Sequence, residues 1–357
     1  MPRVSTADLD HILEGTPQVW DQLRDGRLFI TGGTGFFGTW LLESLCWAVD
    51  RLHLPLETVV LTRSPESFAE KCPHLAGHPA MRFHQGDVQE FAFPDGRFTH
   101  VIHAAFPSTK PLADPRETAT LILRGTERTL DFMEHSRAQH LLFTSSGAVY
   151  GRQPVDLAAV PETYPGAPNL SDPRSAYGES KRMAELLCHL QAQLGGLSVK
   201  VARGFAFVGP HLPLDAHFAI GNFIRDAMAG GPIHVRGDGT AVRSYLYAAD
   251  LAAWLWTILV AGKSGQAYNV GGAEAVSIAD LARRVRDELA PGVQINQDRA
   301  PQPGQIVDRY VPDVTLAASE LGLLPRITLG DAVRRTADWA RRCAPAASFQ
   351  PTTVTSS

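Results

Sequence analysis

The sequence predicts an α/β protein in which a doubly wound parallel sheet is followed by a smaller mixed α/β part. Three observations carry that expectation. Arg27–Thr31 is a short apolar strand that runs through a glycine-rich turn, Thr31-Gly-Gly-Thr-Gly-Phe-Phe-Gly38, into a helix. Strand-like and helix-like segments then alternate as far as Arg203, the pattern of βαβ crossovers. Past Arg203 the alternation gives way to loops, short strands and isolated helices.

In chain order, residues 5–24 carry Leu9, Ile12, Leu13, Val19, Trp20 and Leu23 as an apolar stripe, which Gly15 and Pro17 divide into two short helices. After the first strand and its turn, Thr39–Val49 is helical by the same periodicity, and strands are expected at Thr58–Thr62, Arg82–Gln85 and Val101–Ala105. A helix over Glu117–Ser136, a strand at Leu141–Ser145, a helix over Tyr177–Leu194 and a strand at Val199–Arg203 continue the alternation. Beyond it come a loop at Gly209–Leu214, a helix at Ala219–Ala229, a turn at Gly237–Gly239 and strands at Val242–Leu246 and Ala267–Val270. Helices over Ser277–Leu289, with Ser277 as cap, and over Leu329–Arg342 end the ordered pattern. The expected organisation is a helical extension at 1–25, a dinucleotide-binding domain at 26–205 to which 240–272 returns, and a substrate-binding part from 206–239 and 273–345. The Ser/Thr/Pro-rich tail at 346–357 reads as disordered.

Composition excludes several classes. With 357 residues and a net charge of −4, the chain has no general attraction to nucleic acid or to an anionic membrane. Its longest apolar run, Leu251–Gly262, is too short to cross a bilayer and reads as a buried helix. Acids at Asp8, Asp10 and Glu14 argue against a secretory leader. The four cysteines, Cys46, Cys72, Cys188 and Cys343, lie far apart without metal-binding spacing, which implies reduced thiols, a cytoplasmic protein and no metal site.

The glycine turn carries the first chemical expectation. Glycines at 32, 35 and 38 allow a tight turn, close backbone approach and close helix packing, so a dinucleotide pyrophosphate can meet the helix beginning near Phe37. Gly32, Thr34, Gly35, Phe36, Phe37 and Gly38 are therefore cofactor-binding candidates. An acid at the end of the second strand would bind a ribose 2′-hydroxyl; Thr62, Arg63 and Ser64 stand there instead, a set suited to a 2′-phosphate. NADP(H) is thus favoured over NAD(H), the alternative being a solvated surface arginine. Asp87 and Val88 in a Gly-Asp-Val turn, and the small Ala104 and Ala105, complete the cofactor candidates.

Tyr177 and Lys181 carry the second. At spacing i, i+4 they share one helix face, and the ammonium is expected to lower the phenol pKa towards neutrality, making Tyr177 an acid/base for an alcohol or sugar hydroxyl. Either motif alone is common. Their order, with Thr144-Ser-Ser-Gly-Ala-Val-Tyr-Gly151 between them, is far more specific.

With these motifs, and with Arg203–Pro210, Gly237–Tyr247 and Tyr268-Asn-Val-Gly-Gly272, the chain from about Leu28 to Trp339 resembles the extended short-chain dehydrogenase/reductases. The nearer relatives implied are nucleotide-sugar epimerases, 4-ketoreductases and dehydratases on a Rossmann-type sheet. By that resemblance Ser146 binds the reacting sugar oxygen, Tyr177 is the acid/base, and Lys181 binds the nicotinamide ribose. Ser145 is a candidate second donor, Arg243 grips the sugar-nucleotide diphosphate, and Asn222 joins it. The resemblance also implies a homodimer through helices 117–136 and 177–194, with Leu121, Leu130, Met133, Met183 and Leu187 as apolar surface.

Departures from the family pattern narrow the chemistry. The 4,6-dehydratases carry an acidic pair where this chain has Gly147 and Ala148, so water elimination by that route is not expected. Ile122 and Ala206 replace two family asparagines, and His211, Asp215 and His217 stand nearby as substitute sugar contacts. The leading expectation is an NADPH-dependent 4-keto reductase of a nucleotide-diphosphate sugar. The alternatives are a 4-epimerase that retains its cofactor and, in a different class, a non-catalytic dinucleotide sensor.

Overall fold

The computed structural model describes residues 1–106 and 114–343. α1 (Thr6–Gly15) and α2 (Val19–Leu23) open the chain, and Ser5 caps α1 by accepting from the Asp8 amide. β1 (Arg27–Thr31) leads through the glycine turn into α3 (Phe36–Leu52), β2 (Glu57–Thr62), α4 (Pro65–Lys71), α5 (Pro73–Ala76) and β3 (Met81–Gln85). β4 (His100–His103), α6 (Pro115–Ser136), β5 (His140–Ser146), α7 (Ala176–Gly195) and β6 (Ser198–Gly204) follow. Next come β7 (Phe207–Val208), α8 (Ala219–Met228), β8 (Ile233–Val235), β9 (Val242–Arg243), β10 (Leu246–Tyr247), α9 (Ala248–Ala261) and β11 (Gln266–Val270). β12 (Val276–Ser277), α10 (Ile278–Leu289), β13 (Ile295–Gln297), β14 (Arg309–Tyr310), α11 (Thr315–Leu321) and α12 (Leu329–Cys343) complete the described chain.

Seven parallel strands form one sheet in the order β3-β2-β1-β4-β5-β6-β11. Side chains alternate between its faces as the pleat requires. Leu28 and Ile30 of β1 enter the core under α3 and α9, whereas Phe29 enters the core under α6 and α7. The order reverses between β1 and β4, which opens a crevice at the carboxyl ends of these strands. This is the doubly wound sheet expected from the alternating pattern.

The tryptophan-rich helix α9 lies in the core, with Trp254 and Trp256 buried, and α1 and α2 pack against it. Trp20 meets Trp256 at 5.4 Å, and the buried Asp8 accepts from the Tyr247 hydroxyl at 2.9 Å. The strand expected at Val242–Leu246 is two pieces, because the chain changes partners at Ser244. β9 pairs with β12 and β14, and β10 pairs with β7. Met81, Ala176 and Gly195 extend expected elements by one residue each, and α3 begins at Phe36, three residues before its expected start. The expected tail lies outside the described residues. Among the described residues no helix is long and apolar enough to cross a membrane, and no group of His, Cys, Asp and Glu has metal-binding geometry.

Candidate active site

The turn after β1 is shaped by two glycines. Gly32 has φ +72°, and a Cβ there would lie 2.3 Å from the Ala104 carbonyl oxygen. A Cβ on Gly38 would lie 2.3 Å from the Gly32 carbonyl oxygen, so the first turn of α3 rests directly on the loop before it. Gly35 caps α3 with no side-chain acceptor, which leaves the first amides of that helix open to an anion. Thr34, Gly35, Phe36 and Phe37 line a cleft of about 1870 Å³ that runs over the sheet switch point to α8 and β9. That is larger than a site for one small molecule needs, and it has room for a dinucleotide with a second ligand end to end.

At the β2 end of the cleft lie Thr62, Arg63 and Ser64. Thr62 Oγ1 accepts from the Ser64 amide at 3.4 Å, and Ser64 caps α4 through the Ser67 amide. The Arg63 side chain is exposed and its guanidinium has no partner among the described residues; Lys71 of α4 lines the same end. Asp87 and Val88 line the cleft too, the Asp87 carboxylate accepting from the Gln89 amide at 3.0 Å. Ala104 and Ala105 form the floor beyond β4. Beneath them His103, which the sequence reading passed over, bonds Thr31 Oγ1 at 2.7 Å, and burial takes its pKa down to about 3, leaving a neutral ring under the turn.

Tyr177, Lys181 and Ser146 converge on this cleft from the first two turns of α7 and the end of β5. The electrostatics correct one expectation. Burial raises the Tyr177 phenol pKa, contact with Ser146 pulls it the other way, and Lys181 does not reverse the balance. The Lys181 ammonium is itself buried, which lowers its pKa to about 8, and it donates to the Thr144 carbonyl at 2.8 Å. The phenol ring packs on Phe106 with centroids 4.7 Å apart. Ser146 Oγ accepts from the Ala148 amide at 3.1 Å and lies 3.3 Å from the Tyr310 hydroxyl.

Ser145 is a second correction. Its hydroxyl donates to the buried Glu185, which in turn receives Arg203 through Nε and Nη2, so its one proton is spent away from the cleft. Arg203 also reaches the Tyr150 hydroxyl at 2.9 Å, and Tyr150 donates to Asn269. This buried network ties β5, β6, α7 and β11 together under the site.

At the far end of the cleft, Arg243 and Asn222 both line the wall. Arg243 pairs with Asp308 at 2.6 Å. The Asn222 amide donates to the Ala216 and Phe218 carbonyls, and its oxygen accepts from Arg225. His217 lines the cleft, its ring tilted against Phe218 with centroids 4.2 Å apart, but Asp215 is exposed and does not. His211 is also outside it, tilted against Trp339 with centroids 4.6 Å apart. Gly147 and Ala148 bring no acid, and the space above Gly147 is filled: a Cβ there would lie 2.6 Å from Phe205 Cζ. Sequence reading missed Phe205, Tyr245 and Tyr310, which line the same cleft, and also Arg236 and Arg299 at its outer end. Phe205 and Tyr245 lie within the Arg203–Pro210 and Gly237–Tyr247 motifs without being singled out there, and Tyr310, Arg236 and Arg299 reach the cleft on loops that meet only in the fold.

The family model described as the NAD dependent epimerase/dehydratase family matches residues 28–271. A UDP-glucuronic acid decarboxylase of Arabidopsis thaliana is 28% identical over 307 residues, covering 85% of this chain and 85% of its own. Among solved structures, a UDP-glucose 4-epimerase of Thermotoga maritima superposes with a TM-score of 0.74 at 20% identity, over 89% of this chain and 99% of its own. A dTDP-glucose 4,6-dehydratase of Streptomyces venezuelae, solved with NAD bound, gives 0.72 at 23% identity over 88% and 97%. At these identities the structural matches establish the fold.

Proposed function

The chain belongs to the NAD dependent epimerase/dehydratase family, and from that membership we propose that it is an NADP(H)-dependent reductase of the 4-keto group of a nucleotide-diphosphate sugar. The observation that carries the reading is that Tyr177, Lys181 and Ser146 line one cleft with the glycine turn. The cradle formed by Gly32 and Gly38 fits a dinucleotide, whose nicotinamide supplies the hydride when bound. Ser146 and Tyr177 hold the ketone oxygen, and Tyr177 gives its proton to that oxygen as the C4–H bond forms. A phenol is already protonated at neutral pH and burial raises the Tyr177 pKa further, so Tyr177 enters the reaction carrying the proton it gives. Lys181, anchored on Thr144, stands one turn along the same face to stabilise the phenolate that results. Arg243, with Asn222 and His217 beside it, takes the diphosphate, exchanging Asp308 for phosphate oxygens. In this reading residues 26–205, to which 240–272 returns, form the dinucleotide-binding domain that also supplies Ser146, Tyr177 and Arg243 to the sugar nucleotide, and 206–239 with 273–343 form the substrate-binding part. The experiment is loss of NADPH absorbance on adding a 4-keto-6-deoxy nucleotide sugar; no loss with any such sugar defeats the proposal.

The exposed guanidinium of Arg63, unpaired among the described residues, beside Thr62, Ser64 and Lys71 supports NADP(H) over NAD(H). Titration by fluorescence is expected to give at least about tenfold tighter binding of NADP(H), and Arg63→Asp to invert the order. Equal affinities in the wild type would refute the choice.

We infer a homodimer on α6 and α7, which pack side by side. The surface differs from the one expected from sequence. Leu130 and Met133 are buried in the core and Leu121 and Leu187 are partly covered by it, whereas Met183, Leu186, Leu190 and Leu194 form an exposed stripe along α7. Light scattering at micromolar concentration is expected to give twice the chain mass, and Leu186→Glu with Leu190→Glu to give one chain mass. A wild-type monomer would contradict it.

A further inference from the structure

Next to Ser146 and Tyr177 the cleft is lined by two aromatic rings, those of Phe205 and Tyr310. β14 carries Tyr310, in register with Arg243 of β9. Its hydroxyl lies 3.3 Å from the Gly204 carbonyl and 3.3 Å from Ser146 Oγ. Its ring packs on Phe205 with centroids 4.6 Å apart and planes at 36°. Phe205 in turn covers Gly147. Burial raises the Tyr310 phenol well above its ordinary value, so it remains a neutral hydrogen-bonding group throughout the working pH range.

A hexose gripped at O4 by Ser146 and Tyr177 has its C5–C6 arm next to that oxygen, and so against what adjoins Ser146. Among the described residues lining this end, the nearest cations are already engaged. Lys181 donates to the Thr144 carbonyl, and Arg243, paired with Asp308, is taken by the diphosphate once the sugar nucleotide binds. A carboxylate at C6 would face the negative π-surfaces of two rings, lose its water without a free cation, and oppose phenolate formation at Tyr177. A methyl or hydroxymethyl group would lay C–H bonds on those rings. We propose that the Phe205–Tyr310 wall selects nucleotide sugars with an uncharged C6 and rejects uronates, with Tyr310 as the positioning residue that orients the Ser146 hydroxyl. The proposal rests on the reading of the cleft as a nucleotide-sugar site. It separates this chain from the UDP-glucuronic acid decarboxylases it is similar to, whose named substrate carries a C6 carboxylate.

The test titrates the full-length protein, with NADP⁺ present, against UDP-glucose and UDP-glucuronate, which differ only at C6. UDP-glucose is expected to bind at least about tenfold more tightly. Tyr310→Ala, which opens the wall, is expected to narrow that ratio severalfold. Tyr310→Phe, which keeps the ring, should leave the ratio alone and lower kcat on a 4-keto-6-deoxy nucleotide sugar about tenfold with KM little changed. UDP-glucuronate binding as tightly as UDP-glucose in the wild type would overturn the proposal even if both variants failed to fold. So would an unchanged ratio in a folded Tyr310→Ala. Binding of neither sugar nucleotide would instead overturn the functional reading, and this proposal with it.

Discussion

Tyr177→Phe is expected to lower kcat by about 10²–10⁴-fold, the range that a positioned acid or base contributes, while Tm and KM stay close to wild type. The ring is retained, so its packing on Phe106 is unaffected, and Lys181 keeps its bond to the Thr144 carbonyl. Only the proton that reaches the developing alkoxide is removed. Ser146 can still hydrogen-bond that oxygen, but an aliphatic alcohol is far too weak an acid to give up a full proton. Steady-state kinetics with NADPH and thermal unfolding of both proteins make the comparison. A variant rate within about tenfold of wild type would remove Tyr177 from the chemistry.

Gly38→Val is expected to act earlier, on the cofactor cradle itself. A Cβ at 38 would stand 2.3 Å from both the Gly32 carbonyl oxygen and the Gly33 Cα, and neither is the end of a flexible side chain. α3 must then lift from the loop that precedes it. Overpacking of this kind costs about 1–3 kcal/mol, and the lift moves the open amides at the helix start away from where a pyrophosphate would lie. Loss of measurable NADPH binding is expected, with a Tm several degrees lower. Wild-type affinity in a folded Gly38→Val protein would show that the turn does not hold the cofactor.

The sheet was legible because each of its strands is a short apolar run bounded by a helix signal, as Arg27–Thr31 and Leu141–Ser145 illustrate. Elements of two or three residues, such as β8, β13 and β14, were not legible. They are held by pairing partners far off in sequence, as Ile233 is with Ile295, and periodicity says nothing about that. The same distinction governs the site. Residues within one motif, the glycine turn and the Tyr177–Lys181 pair, reach the cleft as expected. Ser145 lines the cleft as well but spends its proton elsewhere, because the pleat that points the Ser146 hydroxyl into the cleft turns its neighbour's to Glu185. The direction of the Tyr177 shift was misjudged for a related reason: spacing reveals a nearby ammonium but not the burial that weakens both charges. Tyr310 and Phe205 were invisible because they face each other across more than a hundred residues of chain.

The central claim is hydride delivery to C4, and isotopic label tests it most directly. Deuterated NADPH, labelled on the transferring face, is incubated with the protein and a 4-keto-6-deoxy nucleotide sugar, and the product is read by NMR. Deuterium at C4, in amounts equal to the NADP⁺ formed, is the predicted result. Turnover without label at C4 would mean that the nicotinamide does not deliver its hydride there. A parallel incubation of a nucleotide-linked 6-hydroxy hexose in D2O that gave a 4-keto-6-deoxy product, with solvent deuterium at C5 and the C4 hydrogen carried to C6, would mean a dehydratase. Either outcome would contradict the account.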